Sequence, residues 1–191
     1  MAKLSLITGG GVHRQFESLV RSNYEALYRA AYRFTRSEPD AEDLVQETFA
    51  RAYRNVERVV GLENPRTWLL CVARRLFIDQ TRRHDWQKLD SLEETPEREM
   101  SSSEPGPAEM TEAEMVARKV QASWRKLGKE ERSMLALHDI EGYSLSELQE
   151  ITGLKIGTIK SRLHRARVKL GRLLQSQSDR DELAAQRSAR P

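Results

Sequence analysis

The sequence of 191 residues has one cysteine, 6% aromatic residues and no long apolar run. The lone cysteine, Cys71, excludes an intramolecular disulfide framework and a zinc site built from several thiolates. A helix that crosses a bilayer needs about 20 consecutive apolar residues, and the chain has no such run. Residues 1–12 also lack the apolar segment of a signal peptide. The composition therefore predicts a cytoplasmic protein without membrane insertion.

Signals of enzymatic and metal sites are also scarce. The glycines at residues 9–11 lack the G-x-G-x-x-G spacing of a dinucleotide-binding loop, and no βαβ pattern follows them. The four histidines are dispersed, and no two of them lie one helical turn apart. We therefore predict no enzymatic activity, no cofactor and no metal. Cys71 lies beside an apolar stripe, and we interpret it as a structural thiol. A redox role stays open as an alternative, which would require the thiol to be exposed.

Charged residues fall into three blocks along the chain. Residues 1–88 carry a formal charge of +4, residues 89–114 carry −8 and residues 115–191 carry +7. Seven Lys or Arg residues and no carboxylate lie between residues 155 and 172. Nucleic acid attracts such a stretch because phosphate contacts release condensed counterions, although a solvated helix face has the same composition.

Apolar residues recur at helical spacing through both basic blocks, which predicts an all-α protein without strands. We expect a first helix over residues 15–35. Asp40 is a candidate N-cap for a second helix. Asn64 followed by Pro65 is typical of the start of a third.

The acidic block separates two small helical domains. Residues 91–109 contain three prolines and few large apolar side chains, too few to offset the chain entropy lost on folding. We interpret this block as a flexible acidic linker or solvated spacer. The predicted segments are an N-terminal tail (1–13), a helical domain (14–88), the linker (89–112), a second helical domain (113–175) and a C-terminal tail (176–191).

The C-terminal domain has the pattern of a helix-turn-helix. Capping boxes begin at Thr111 and Ser144, Gly153 supplies a sharp turn, and a last helix is expected over residues 156–174. The outward face of this last helix carries hydroxyl, imidazole and cationic groups suited to phosphates and base edges. Gln149 departs from the small residue that such motifs usually have there.

An acidic segment in the first domain has a different character. Residues 38–50 contain five carboxylates and no Lys or Arg. Such a helix suits a basic protein partner rather than DNA, and it equally suits a solvated surface. The residues alone leave these two interpretations open.

Two pairs of motifs together resemble a known family. DAEDLVQETF at residues 40–49 and PRTWLLCVAR at residues 65–74 resemble region 2 of bacterial RNA polymerase sigma factors. YSLSEL at residues 143–148 and GTIKSRLHRAR at residues 157–167 resemble region 4. The order and length are similar to those of the short extracytoplasmic-function (ECF) type, a non-enzymatic subunit that binds polymerase core and directs promoter-specific initiation.

The resemblance implies three binding surfaces. The acidic helix would dock on the clamp helices of the largest polymerase subunit through Asp40, Asp43, Leu44, Gln46, Glu47 and Phe49. The loop at residues 57–64 and the helix at residues 65–83 would capture the melted minus-ten element with Arg58, Asn64, Arg66, Thr67, Arg74, Arg75, Arg82 and Arg83. The last helix would read the minus-thirty-five duplex with Lys155, Thr158, Lys160, Ser161, Arg162, His164 and Arg165.

The resemblance implies two partners: promoter DNA, and polymerase core, which is contacted through its clamp helices and flap region. It also allows an anti-sigma protein as a further partner.

Two residues depart from the pattern of many family members: Arg75 replaces an Asn, and Lys155 replaces a Pro. Trp68 lies on the apolar stripe, which favours a core position over a stacking platform.

A stand-alone DNA-binding regulator is the competing hypothesis, since it would share the helix-turn-helix. It would need neither the acidic helix nor the arginine-rich one.

Overall fold

The structure is a computed structural model that describes residues 9–90 and 111–188, without the side chains of residues 9–10, 80–90, 112 and 178–188. Apart from its ends, the linker expected at residues 89–112 lies outside these ranges. Every regular element within them is helical, which confirms the all-α prediction. None of these helices is both long and apolar enough to span a bilayer.

The first domain is built from four helices: α1 (Gly9–Thr35), α2 (Glu38–Arg54), α3 (Val56–Val60) and α4 (Pro65–Asp90). The loop expected at residues 57–64 is shorter than predicted. Its first part forms α3, so only residues 61–64 connect α3 to α4.

Capping residues fix the starts of α2 and α4. Asn64 caps α4 as predicted, since its Oδ1 accepts from the backbone N–H of Thr67 at 3.2 Å. The prediction that Asp40 caps α2 is wrong. Ser37 is the N-cap, with an extended backbone, and its hydroxyl accepts from the Asp40 N–H. The preference of Pro39 for the first helical turn moves the helix start ahead of Asp40.

The core of the first domain lies between α1, α2 and α4. The Phe34 and Phe77 rings stack with their centroids 5.4 Å apart. Buried alanines, Ala31 and Ala73 among them, leave room for close packing of these helices. The buried side chains of this core include Leu27, Ala31, Phe34, Leu44, Val45, Leu69, Leu70, Ala73 and Phe77.

The second domain comprises α5 (Glu112–Arg125), α6 (Lys129–Leu135), α7 (Leu145–Thr152) and α8 (Ile156–Ser188). A π-helical turn, Ala136–Ile140, continues α6, and its widened bond runs from the Glu141 N–H to the Ala136 carbonyl at 2.9 Å. The predicted capping boxes at Thr111 and Ser144 are both present. The last helix is longer than predicted, since α8 continues to Ser188.

Helices α7 and α8 form the predicted helix-turn-helix. Gly153 has φ +71°, a left-handed conformation that an L-residue adopts only at a cost, and it ends α7. Gln149 is exposed, so its amide does not disturb the packing of the two helices. The anchors between α6, α7 and α8 are the buried side chains Met134, Leu135, Leu137, Leu148, Ile151, Ile159 and Leu163.

The two domains contact each other along α4 and α1. Helix α4 packs against α7 and α6, and α1 packs against α6 and the π-helical turn. The surface of α4 near the loop at residues 61–64 therefore faces the second domain.

Candidate nucleic-acid interface

An open cavity of about 580 Å³ lies where the loop at residues 61–64 meets α4. Asn64 and Thr67, both predicted site residues, line it together with Trp68 and Cys71 from α4. Trp68 is half-buried: it packs against the core and also borders the cavity. The core position expected for Trp68 is therefore only part of its environment, because the residue also lines the cavity.

Three residues with ionisable side chains border this cavity and were not predicted as site residues. Cys71 is half-buried and lines the cavity, so it is more than a packing thiol. Glu150 reaches the same cavity from α7 of the second domain. Glu63 completes the wall beside Asn64. Nothing in the sequence indicates that α7 approaches α4, so Glu150 could not be found from the pattern.

The arginines predicted around this cavity have different environments. Arg58, Arg66 and Arg75 are exposed. The Arg66 Nε donates to Oδ1 of the buried Asn23 at 3.4 Å, which ties that guanidinium to α1. Arg75 lies 3.6 Å from the Asp79 carboxylate on the next turn. The side chains of Arg82 and Arg83 lie outside the described residues.

Arg74 differs from the exposed arginines of the same helix. It is only 8% exposed, and its Nε donates to the Ser133 hydroxyl of α6 at 3.2 Å. Burial lowers the pKa of its guanidinium. In this arrangement Arg74 is an interdomain contact and not part of the exposed DNA-facing surface that the sequence suggested.

The outward face of α8 presents most of the predicted minus-thirty-five residues to solvent. Buried Ile159 and Leu163 fix the rotation of the helix about its axis. Thr158 is half-buried, and its carbonyl accepts from the Ser161 hydroxyl at 2.9 Å. The exposed members of the set are Lys155, Lys160, Ser161, His164 and Arg165.

Arg162 turns away from this face. Its guanidinium forms an ion pair with Glu130 of α6. Together with Arg165, Glu131 and Met134 these two residues line a groove of about 290 Å³ between α6 and α8. Arg162 is therefore half-buried, unlike the exposed residue that the sequence suggested.

Two further ion pairs hold α8 against the α6 side of the domain. The Lys169 ammonium lies 2.7 Å from Glu131. The Arg167 guanidinium donates to both carboxylate oxygens of Asp139, at 2.6 and 2.9 Å. This hydrogen bonding lowers the pKa of Asp139 and raises that of Arg167.

The acidic helix α2 exposes Asp40, Asp43 and Gln46, whereas Leu44 is 1% exposed and belongs to the core. Leu44 therefore supports this surface from beneath and is not part of it. Glu47 is half-buried and is paired with Arg51 at 2.9 Å and with Arg54 at 3.5 Å. The hydrogen bond from Arg51 is the main cause of its lowered pKa.

An aromatic stack beside this acidic surface was missed in the sequence. The Tyr24 ring lies nearly parallel to Phe49, with centroids 6.4 Å apart, and to Tyr28 at 6.2 Å. Tyr24 is 47% exposed. The spacing of Tyr24 and Tyr28 on one helical face was the available signal, and its exposure depends on how α1 and α2 pack.

Nothing among the described side chains brings three His, Cys, Asp or Glu residues together for a metal ion. The arrangement instead offers a cavity with an indole and an amide, a cationic helix and an acidic helix. These surfaces suit a flipped base, duplex DNA and a basic protein partner, respectively.

Comparison with known proteins places both domains in one family. The chain matches the family models for Sigma-70 region 2 at residues 19–87 and Sigma-70 region 4 at residues 117–170. It is 35% identical to the ECF RNA polymerase sigma factor SigE of Mycolicibacterium smegmatis, over 81% of this chain. It spans 60% of the length of that protein.

Two other similar proteins are matched over nearly their whole length. The RNA polymerase sigma factor CnrH of Cupriavidus metallidurans is 30% identical over 93% of this chain and 95% of that protein. The sigma factor RpoE from Bartonella quintana, solved in complex with the anti-sigma factor NepR, has a similar fold, with a TM-score of 0.66 at 26% identity. That match covers 85% of this chain and 98% of RpoE.

Proposed function

The chain belongs to the RNA polymerase sigma factors of the sigma-70 family, ECF type, and on that premise we propose how its surfaces direct promoter-specific transcription initiation. The non-enzymatic subunit binds polymerase core with α2, a melted base with the cavity beside α4, and duplex DNA with α8. We assign residues 14–88 to the polymerase and minus-ten functions and residues 113–175 to the minus-thirty-five function. Its place of action is the cytoplasm, where it meets bacterial polymerase.

The cavity beside α4 is the observation that carries the minus-ten assignment. A volume of about 580 Å³ falls within the range of about 300–1,000 Å³ typical of ligand pockets. An unpaired base needs a stacking surface and hydrogen-bonding groups, which Trp68, Asn64 and Thr67 supply. Arg58 and Arg66 are exposed nearby on the chain and suit the phosphates that flank such a base.

The exposed face of α8 supports the minus-thirty-five assignment. Arg165 and Lys160 can pair with guanine acceptors in the major groove, and Ser161 can contact a base or a phosphate. The first turn of α8 adds backbone N–H groups that favour a phosphate. We give Arg162 a secondary part, since its pairing with Glu130 must loosen before it reaches DNA.

The acidic face of α2 supports docking on a basic helical surface of polymerase. Asp40, Asp43 and Gln46 are exposed, and the half-buried Phe49 adds apolar area beside Glu47. Core polymerase then holds both DNA-binding domains on one rigid platform. Their effective concentrations at the promoter rise, so neither domain needs high affinity alone.

An anti-sigma protein is part of the proposal. The similar RpoE from Bartonella quintana was solved with the anti-sigma factor NepR, and a match of 85% of this chain includes both domains. We propose that a protein of this class regulates the present chain by competing for the surfaces assigned to polymerase and DNA.

Run-off transcription tests the proposal directly. Purified polymerase core is assayed with and without the protein on a promoter library. Promoter-specific transcripts that depend on the protein support the proposal and identify both promoter elements. If no transcripts form and the protein alone binds duplex promoter DNA, the stand-alone regulator replaces it.

A further inference from the structure

An apolar side chain is exposed at the start of the helix assigned to duplex DNA. Ile156 is the first residue of α8, and it is 36% exposed. The spacing of Ile156, Ile159 and Leu163 predicts one buried stripe, but only the last two are buried. The side chain of Ile156 is therefore partly open to a ligand.

The turn before α8 explains this exposure. Gly153 ends α7 in a left-handed conformation, and Leu154 follows it. Leu154 is half-buried and packs against the core, and its N–H donates to Thr152 Oγ1 at 3.2 Å. The apolar contact at the turn is made by Leu154, so Ile156, two residues later, is left at the surface.

The neighbours of Ile156 leave room for a ligand. Gly157 is exposed and has no side chain, and the described part of the chain places no atom beyond its sequence neighbours within 4 Å of where a Cβ would lie. Lys155, on the other side, is exposed. The floor of a DNA groove can therefore approach the first turn of α8 closely.

Ile156 shares a side of α8 with a residue already assigned to base contacts. Lys160 is exposed and follows Ile156 by four residues, which corresponds to about 40° of rotation and about 6 Å of rise. Base pairs are spaced about 3.4 Å apart along the duplex. If Lys160 contacts one base pair, Ile156 lies about two base pairs from it.

The chemistry of isoleucine selects among the groups in the major groove. Most of the base edges there present hydrogen-bond donors and acceptors, which an aliphatic side chain cannot pair with. The C5-methyl group of thymine is the apolar exception. Contact between two apolar groups removes area from water, and a β-branched side chain in a helix has little rotamer freedom to lose.

We propose that Ile156 is a specificity-determining residue of the minus-thirty-five contact, and that its side chain packs on the C5-methyl group of one thymine. That thymine lies about two base pairs from the pair that Lys160 contacts. The inference rests on the minus-thirty-five assignment made under the proposed function. It adds sequence information to a helix whose cations also bind phosphates, which carry none.

Removal of the methyl group from the DNA tests this contact. Holoenzyme is assembled from polymerase core and the full chain, and it is bound to a promoter found by run-off transcription. Each thymine of the minus-thirty-five element, on either strand, is replaced in turn by deoxyuridine, which lacks the methyl group and pairs in the same way. For wild-type protein, one of these replacements should weaken binding about fourfold, the effect of one apolar carbon buried.

Variants at position 156 assign the effect to this side chain. Ile156→Ala should bind the thymine and deoxyuridine promoters equally, whereas Ile156→Val should retain part of the difference. Val168→Ala is the matched control, since Val168 is another exposed aliphatic residue of α8, 40% exposed, and it should retain the full difference. Each ratio compares two DNAs with one protein, so a loss of folded protein cancels.

Three results would overturn the inference: wild-type holoenzyme that is insensitive to every replacement, an undiminished difference in Ile156→Ala, or a minus-thirty-five element that contains no thymine. The proposed function has a separate readout, which is promoter-specific transcription by the wild type. Transcription without any sensitivity to deoxyuridine defeats the thymine contact alone. A wild type that gives no promoter-specific transcripts defeats the proposed function and the thymine contact with it.

Discussion

The two domains present their candidate DNA-binding groups in opposite ways. The first offers a concave cavity whose wall is formed by Trp68, Asn64 and Thr67, with arginines outside it. The second offers a convex helix whose cations are partly held by carboxylates of the same domain, as in the pairing of Arg167 with Asp139. A melted base requires a pocket, and a duplex requires a rigid surface that enters its groove.

This comparison indicates what maintains each surface. In the first domain, the loop at residues 61–64 and α4 form most of the cavity wall, so its shape depends on the buried apolar residues that hold α4 in place. In the second, buried anchors set the rotation of α8 about its axis, and ion pairs attach α8 to the α6 side of the domain. A substitution in one domain should therefore impair one DNA-binding surface and leave the other intact.

The largest effect is expected from an anchor of the second domain. Leu163 is 2% exposed, and Leu163→Ala should lower the free energy of unfolding by about 2–5 kcal/mol, because it leaves a cavity between α7 and α8. Thermal denaturation and binding of minus-thirty-five duplex measure the loss. Val168→Ala, at a residue 40% exposed on the same helix, is the control and should change little. Similar losses in both variants would contradict the role of Leu163 as an anchor.

A smaller effect is expected at the cavity of the first domain. Trp68→Ala should weaken binding of the minus-ten strand by about 1–3 kcal/mol per stacked base. Trp68→Phe should retain much of that affinity because a ring remains. Binding is measured with the single strand and, separately, with minus-thirty-five duplex. An equal loss on both ligands would mean that Trp68 acts only through the fold.

The pairing of Arg162 predicts a change of opposite sign. Glu130→Gln removes the carboxylate that holds the Arg162 guanidinium, and exposed pairs of this kind contribute about 0.2–1 kcal/mol. The freed arginine should raise affinity for duplex DNA of any sequence, measured by titration at two salt concentrations. The double variant Glu130→Gln with Arg162→Ala should lose this gain. A gain that persists in the double variant would assign the effect to the removed charge.

The smallest effect concerns acid stability. The folded pKa of Asp139 is lowered, so its stabilising contribution is present above the unfolded pKa of about 3.9 and is lost as pH falls through the folded value. Because the pair is partly exposed, we expect about 0.2–1 kcal/mol. Denaturation at pH 7 and pH 3 should show a smaller acid-induced loss in Asp139→Asn than in the wild type. An unchanged pH dependence in Asp139→Asn would show that the pair of Asp139 and Arg167 does not contribute to acid stability.

Local signals in the sequence predicted most helices and several of their boundaries. The apolar periodicity located the long helices, and Asn64, Thr111, Ser144 and Gly153 marked starts and stops through their own hydrogen bonds or backbone angles. The short helix α3 was missed. The N-cap of α2 was also missed, because Ser37 and Asp40 are both good capping residues and lie close to the same helix start.

Site residues were harder to predict where tertiary packing decides their exposure. The burial of Leu44 follows from the rotation of α2 against α1 and α4. The burial of Arg74 and the position of Glu150 follow from contact between the domains. No pattern within one helix contains this information. The sequence therefore indicated the chemistry of the surfaces, but not which of their side chains are buried or paired within the protein.

The π-helical turn determines the phase of the residues that face α8. In an uninterrupted α-helix, the step of eight residues from Glu131 to Asp139 would leave their side chains about 80° apart around the axis. The wider turn at Ala136–Ile140 takes up less rotation per residue, so both carboxylates reach α8, one at Lys169 and the other at Arg167. Deletion of a single residue from this segment would leave a step of seven residues, which spans about 700° in a regular α-helix. The π-helical turn thus accommodates one extra residue in the chain and still leaves Glu131 and Asp139 on nearly the same face.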